Sequence, residues 1–256
     1  MWGLKSPSKP VTDPRLNTDD RLIYAIGDVH GRLDLLSPLL RVIEDDISSV
    51  KSDQRPLIIF LGDYIDRGPE SRAVVDQVIA LKASSSHEIR CLKGNHEQAL
   101  LNFLDDSAVG PGWLRHGGGA TLLSYGVNVR GMGVDPDDWP NVQEAFRKTV
   151  SDEHLEFYQS LELSIEVGGY IFVHAGVRPG VALDRQTEQD LLWIRDSFLR
   201  LPVPLERIVV HGHTPSEQPF VDARRIGVDT GAYATGVLSA VRLSDADQRF
   251  IQVKSR

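Results

Sequence analysis

The chain has 256 residues, 41% of them hydrophobic and 25% charged, with 22 glycines and 14 prolines, which excludes collagen-like, coiled-coil and wholly disordered chains. One cysteine, Cys91, rules out an intramolecular disulfide framework or a cysteine-rich zinc module and fits a reducing compartment. The 28 Lys plus Arg against 36 Asp plus Glu leave a formal charge of −8, which argues against a nucleic-acid partner because affinity there comes from neutralising phosphates with basic side chains.

Residues 1–20 hold three prolines and mixed charges but no apolar core, so they read as a flexible lead-in rather than a secretory signal. The pattern then alternates. Leu22–Ile26 is a buried-strand candidate ending at Gly27, and Leu36, Leu39, Leu40, Ile43 and Ile47 follow at helical spacing. Leu57–Leu61 repeats the strand, ending at Gly62, and Val74, Val75, Val78 and Ile79 mark the next helix. A third turn runs from Ile89–Leu92 through Gly94 to a helix over 96–104. Such alternation predicts βαβ units and a largely parallel sheet.

The stretch 105–138 is rich in Gly, Asp and Pro and reads as a surface excursion or cap. A helical segment over 139–159 leads to short strand candidates at Leu163–Val167, Tyr170–Val173, Ile208–Val210, Arg225–Val228, Val237–Val241 and Phe250–Val253. The second half is therefore β-rich and partly antiparallel. No linker separates the halves, so one domain over 21–256 is expected. No apolar stretch approaches the roughly 20 residues that span a bilayer, which predicts a soluble, cytoplasmic protein with no membrane partner. Oligomeric state is not legible.

Three strand ends of the first half share one form: Gly27-Asp28-Val29-His30-Gly31, Gly62-Asp63-Tyr64-Ile65-Asp66-Arg67-Gly68, and Gly94-Asn95-His96-Glu97. The carboxyl ends of neighbouring parallel strands open onto one crevice, so these loops should converge. In extended chain, residues i and i+2 point the same way, which would put Asp28 and His30 side by side. Two later strand ends add imidazoles, Val173-His174-Ala175-Gly176 and His211-Gly212-His213-Thr214. Mixed oxygen and nitrogen donors suit a borderline divalent metal such as Mn, Fe, Zn or Co. Six ligands without thiolates exceed what one tetrahedral ion needs, whereas two ions sharing a carboxylate would use them. A two-metal site supports phosphoester hydrolysis. Among the eight histidines, His87, His116 and His154 lie outside these motifs and read as structural. Cys91 and the four tryptophans read as packing residues.

Taken in order and at this spacing, the five motifs resemble the phosphoprotein phosphatase group of calcineurin-like metallophosphoesterases. Trp113–Gly126 and Leu191-Leu192-Trp193-Ile194-Arg195 are similar to its bacterial and phage branch, which includes serine/threonine protein phosphatases and symmetrical dinucleoside tetraphosphatases. The resemblance covers residues 21–243. It implies a four-layer α/β fold, two mixed β-sheets packed face to face and flanked by helices. It also implies two divalent metal ions, with Mn²⁺ first and Fe or Zn as alternatives. Asp28, His30 and Asp63 would hold one ion; Asp63, Asn95, His174 and His213 would hold the other. His211 would line the site without ligating. His96, oriented by Asp66, would be the general acid, its pKa raised by that carboxylate. Arg67 and Arg195, with Asn95, would bind the phosphoryl group. A water activated by the ions would attack phosphorus in line, with no covalent phosphoenzyme. The expected substrate is a phosphoserine or phosphothreonine protein, with symmetrical hydrolysis of dinucleoside tetraphosphate as the alternative.

Overall fold

The computed structural model describes residues 13, 15–50, 54–129, 138–200, 205–245 and 247–255. Strand β1 (Arg21–Ile26), helix α1 (Leu33–Ser49), β2 (Arg55–Phe60), α2 (Ser71–Ser84), β3 (Glu88–Cys91) and α3 (Asn95–Asp105) follow the predicted alternation. The excursion carries α4 (Gly110–Trp113), a π-helical turn (Leu114–Gly118) and α5 (Gly119–Ser124), followed by α6 (Trp139–Arg147) and α7 (Asp152–Gln159). Next come β4 (Ser164–Val167), β5 (Tyr170–Val173), α8 (Glu188–Trp193), α9 (Asp196–Leu199) and β6 (Ile208–His211). The chain ends on β7 (Phe220–Val221), β8 (Arg225–Gly227), α10 (Ala232–Thr235), β9 (Val237–Ser244) and β10 (Asp247–Lys254).

The strands form two mixed five-stranded sheets, ordered β10-β9-β1-β2-β3 and β4-β5-β6-β8-β7. In the first, β1, β2 and β3 are parallel, β9 runs antiparallel to β1, and edge strand β10 runs antiparallel to β9 and so in the same direction as β1. In the second, β5, β6 and β8 are parallel, with antiparallel β4 and β7 at the edges. Period-two alternation sorts the side chains into layers. Ile23, Ala25, Leu57 and Ile59 meet Tyr170, Phe172, Ile208 and Val210 between the sheets. Tyr24, Ile26, Ile58 and Phe60 turn the other way, onto Leu36 and Leu39 of α1 and Val74 and Val78 of α2. Ile171, Val173 and Val209 face Leu191 and Phe198 from α8 and α9. The result is helices, sheet, sheet, helices, the expected four layers. Each fully buried aliphatic or aromatic side chain contributes about 1.5–3 kcal/mol.

Several expectations need correction. Residues 15–20 are not a loose lead-in: the Asn17 carbonyl accepts from Gly169 N, Arg15 Nη1 donates to the Leu205 carbonyl, and Thr18 is buried against Asp245. Residues 1–12 and 14 of that lead-in lie outside the described residues. The excursion is only partly surface, because Trp113, Leu122, Tyr125 and Val127 enter the same core as β1 and α1; residues 130–137 lie outside the described residues. The single helix over 139–159 is two, broken at Thr149-Val150, with the Ser151 hydroxyl accepting from His154 N as the cap of α7. Another concerns His211 and belongs to the site. No described helix is long and apolar enough to cross a membrane.

Candidate metal centre and phosphoryl site

The carboxyl ends of strands from both sheets supply the site. β1 leads into Asp28 and His30, β2 into Asp63, Asp66 and Arg67, and β3 into Asn95 and His96 at the start of α3. From the second sheet, β5 leads into His174 and β6 into His213. The loops are tied together through backbone: Val29 N and His30 N donate to the Asp63 carbonyl at 3.0 and 2.9 Å. The Glu97 carboxylate accepts from Gly94 N, Asp63 N and Tyr64 N, each at 2.9 Å, and so fixes the β2 loop against the start of α3.

Asp63 lies at the centre. Its Oδ2 is 3.5 Å from His30 Nε2 and 3.8 Å from His96 Nε2, and its Oδ1 is 3.5 Å from His174 Nε2. Two clusters share it: His30, Asp63 and His96, and Asp63, His174 and His213. Asn95 Oδ1 approaches His174 Nε2 at 2.9 Å and His213 Nδ1 at 2.8 Å. Asp28 is close by but differently engaged, its Oδ2 accepting from His213 N at 3.0 Å. The extended-chain argument for Asp28 and His30 therefore fails, because His30 takes φ 48° and leaves the strand geometry.

The imidazoles are set from behind. His30 Nδ1 donates to the Ile65 carbonyl at 2.7 Å and His174 Nδ1 to the Leu61 carbonyl at 2.8 Å, which leaves each Nε2 a lone pair aimed at Asp63. Burial pushes Asp28 and Asp63 well above the ordinary carboxylate range, with Asp229 reinforcing the effect on Asp28 and Glu97 that on Asp63. Burial also drives His30 well below its usual value and His174 down to about 3. Converging lone pairs, carboxyls whose ionisation burial opposes and imidazoles held neutral are what a dinuclear cation site looks like before its charge arrives. His213 Nε2 adds a buried nitrogen with no hydrogen-bond partner. These residues fit divalent metal.

Beside that cluster sits the candidate acid. His96 Nδ1 donates to Asp66 Oδ2 at 2.6 Å, and Arg67 Nη2 donates to His96 Nε2 at 3.1 Å. The expectation that Asp66 raises the imidazole pKa is not met. Burial first, then the positive charges of Arg67 and His116, hold His96 down at about 3, while burial lifts Asp66 to about 7. Arg195 is exposed, its Nη2 donating to the His213 carbonyl at 3.4 Å. His211 does not line the crevice. It ends β6 on the face of Val209, its Nε2 accepting from Arg225 Nη1 at 2.9 Å and its ring edge-on to Phe198 at 5.2 Å.

Four residues escaped sequence reasoning. Trp113 Nε1 donates to Asp66 Oδ2 at 2.8 Å, and Thr121 Oγ1 donates to Asp66 Oδ1 at 2.5 Å. Tyr233, 39% exposed, lies under the Arg67 guanidinium at 4.5 Å and edge-on to His30 at 5.3 Å. Asp229, buried beside Asp28, is pushed up to about 6 by burial. A signal existed for the last: Val228-Asp229-Thr230-Gly231 repeats the strand-end Asp and glycine form of the first half.

The site so built, on two facing mixed sheets, is that of a metal-dependent phosphoesterase, and the chain belongs to the calcineurin-like phosphoesterase family, whose model matches residues 21–243. It is 28% identical over 253 residues to the bis(5'-nucleosyl)-tetraphosphatase PrpE [asymmetrical] of Oceanobacillus iheyensis, covering 91% of this chain and 92% of that one. A segment of 84 residues is 34% identical to the serine/threonine-protein phosphatase BSL2 of Arabidopsis thaliana, 32% of this chain and 8% of that one. The fold is that of a solved structure provisionally designated a diadenosine tetraphosphatase, with TM-score 0.60, 18% identity, and 91% and 94% of the two chains covered.

Proposed function

We propose that the chain hydrolyses bis(5'-nucleosyl) tetraphosphates, using two divalent metal ions, with manganese the first to try. The observation that carries this reading is the end-to-end match to relatives named for that activity, 91% of this chain against 92% of theirs, which includes the segments framing the site. It reverses the order expected from sequence, where phosphoprotein stood first. The phosphoprotein reading is kept second because the 84-residue segment resembles a serine/threonine-protein phosphatase.

Asp28, His30 and Asp63 would hold one ion, and Asp63, Asn95, His174 and His213 the other. Such ions, when bound, lower the pKa of water and neutralise phosphoryl charge. The remaining work falls to the chain's own side chains. Arg67 binds a non-bridging phosphoryl oxygen with its planar guanidinium, and Arg195 takes another. A phosphoryl group that engages Arg67 withdraws the hydrogen bond on His96 Nε2. Its negative charge also counters the burial and the repulsion that together keep the imidazole neutral, so His96 gains its proton when substrate is present. His96 Nε2 then donates to the leaving oxygen while Asp66 steadies Nδ1. Cys91 takes no part, since it is buried in β3 with its thiol pushed up to about 11.

The test is kcat/KM of Mn²⁺-loaded protein on diadenosine tetraphosphate beside phosphoserine and phosphothreonine peptides. A preference for the dinucleotide is expected. A preference for the peptides would install the second reading.

A further inference from the structure

Beside Arg67 lies a cavity of about 520 Å³ formed mainly by the excursion. This falls within the roughly 300–1,000 Å³ of small-ligand sites. Pro69, Leu114, Ala120, Leu123 and Val129 line it with one polar neighbour, Asn128, and Arg67 is the one charged side chain among the described lining residues. Leu123 is 45% exposed although it neighbours the site. The glycines at 117 and 119 let two wall residues pack closely, since a Cβ on Gly117 would stand 2.8 Å from Arg67 Cγ and one on Gly119 2.9 Å from Leu114 Cδ1.

We infer that this cavity receives a nucleoside of the substrate, its base against Leu114, Leu123 and Val129 and its phosphate chain leaving past Arg67 to the metal centre. The inference rests on the reading proposed above and adds where specificity is set. Arg67 belongs to both sites: its Nη2 reaches the acid at 3.1 Å, and its side chain forms one edge of the cavity. A ligand that fills both is charged at one end and flat and uncharged at the other, one phosphate link away. A phosphopeptide satisfies this poorly. Its chain continues on both sides of the phosphoresidue and brings backbone N–H and C=O groups that aliphatic walls leave without partners. A nucleoside ends at the wall, burying its apolar faces.

The experiment combines photolabelling with kinetics. Protein is irradiated with 8-azido-AMP and the labelled peptide mapped; label within residues 114–129 is expected, and label elsewhere would overturn the inference. In parallel, Leu123→Glu and Ala120→Trp are compared with wild type on diadenosine tetraphosphate. Each should raise KM by about tenfold or more, the size of losing roughly 1.4 kcal/mol of apolar contact, with kcat within about twofold. Unchanged KM in both, with wild-type melting curves, would overturn it as well. If wild type does not cleave the dinucleotide, the proposed function falls. The mapped label then decides the cavity on its own.

Discussion

Asp66 shows how much of this site is made by residues that never touch substrate. Its two carboxylate oxygens take three side-chain donors, His96 Nδ1, Trp113 Nε1 and Thr121 Oγ1. Burial lifts the carboxyl to about 7, and the hydroxyl and indole donors pull the other way, favouring the ionised form that orients the imidazole. Removing one donor from a buried carboxylate oxygen costs about 1–3 kcal/mol or more. Thr121→Val should therefore lower kcat by about tenfold or more while KM moves little, and Thr121→Ser, which keeps the hydroxyl, should restore it. Steady-state kinetics on both variants decide the matter. Wild-type kcat in Thr121→Val would remove Thr121 from the positioning role. His96→Asn sets the ceiling for this loss, at about 10²–10⁴-fold in kcat, the usual contribution of a general acid.

At the scale of elements, the site is a set of strained turns. His30, Asp63, Asp66, Arg67 and His213 all have positive φ, between 48° and 71°, a conformation that costs a side-chain-bearing residue roughly 1–2 kcal/mol. The loops hold one another there, through the Asp63 carbonyl, the Glu97 carboxylate, and the Gly117 carbonyl that accepts from Arg67 N at 3.2 Å. Gly117 itself sits at φ 107°, ψ 5° within the π turn. Gly117→Ala should destabilise the fold by about 1–2 kcal/mol and push Arg67 aside, lowering kcat/KM by about tenfold. Denaturant melts and kinetics of the same preparation check both. Unaltered kcat/KM would mean that the excursion does not set Arg67. These turns also mark where sequence reading stopped. Strand, glycine and ligand lie within a few residues of one another, so the five strand ends were legible from local pattern alone. Trp113 and Thr121 meet Asp66 from 47 and 55 residues away, and their segment looked polar although Trp113 and Leu122 are core residues. His211 and His213 stand two apart, yet the strand ends at His211 and His213 turns left-handed, so the i, i+2 rule does not carry across. Tyr233 had no signal, because an exposed aromatic in a short helix acquires meaning only from Arg67 and His30 beside it.

Across the whole molecule, the proposed metal ligands are divided between the two sheets, with Asp28, His30, Asp63 and Asn95 from the first and His174 and His213 from the second. Metal binding would therefore clamp the sandwich at one edge, and its pH dependence should follow from the groups buried there. In the metal-free protein the imidazoles of His30, His96, His174 and His213 are all held below their usual value, burial being the main cause, so they are neutral near neutral pH and do not compete with a cation for protons. The carboxyls behave oppositely. Asp229 is raised to about 6, and Asp28 and Asp63 are raised well above the ordinary range. Below those values the carboxyls carry protons that metal must displace; above them they are already ionised. Affinity for Mn²⁺ should thus rise with pH through the interval in which these carboxyls ionise, by about tenfold per unit for each proton released. Calorimetric titration of Mn²⁺ into chelator-treated protein, in two buffers of different ionisation enthalpy, reads both the affinity and the proton release. The stabilisation that metal confers should grow in the same direction, reaching about 2.7 kcal/mol when free Mn²⁺ is about 100 times its Kd. A Kd that stays flat over that interval, with no proton release, would mean that these carboxyls are ionised before the metal arrives and that the two sheets already meet there as a charged pair of edges.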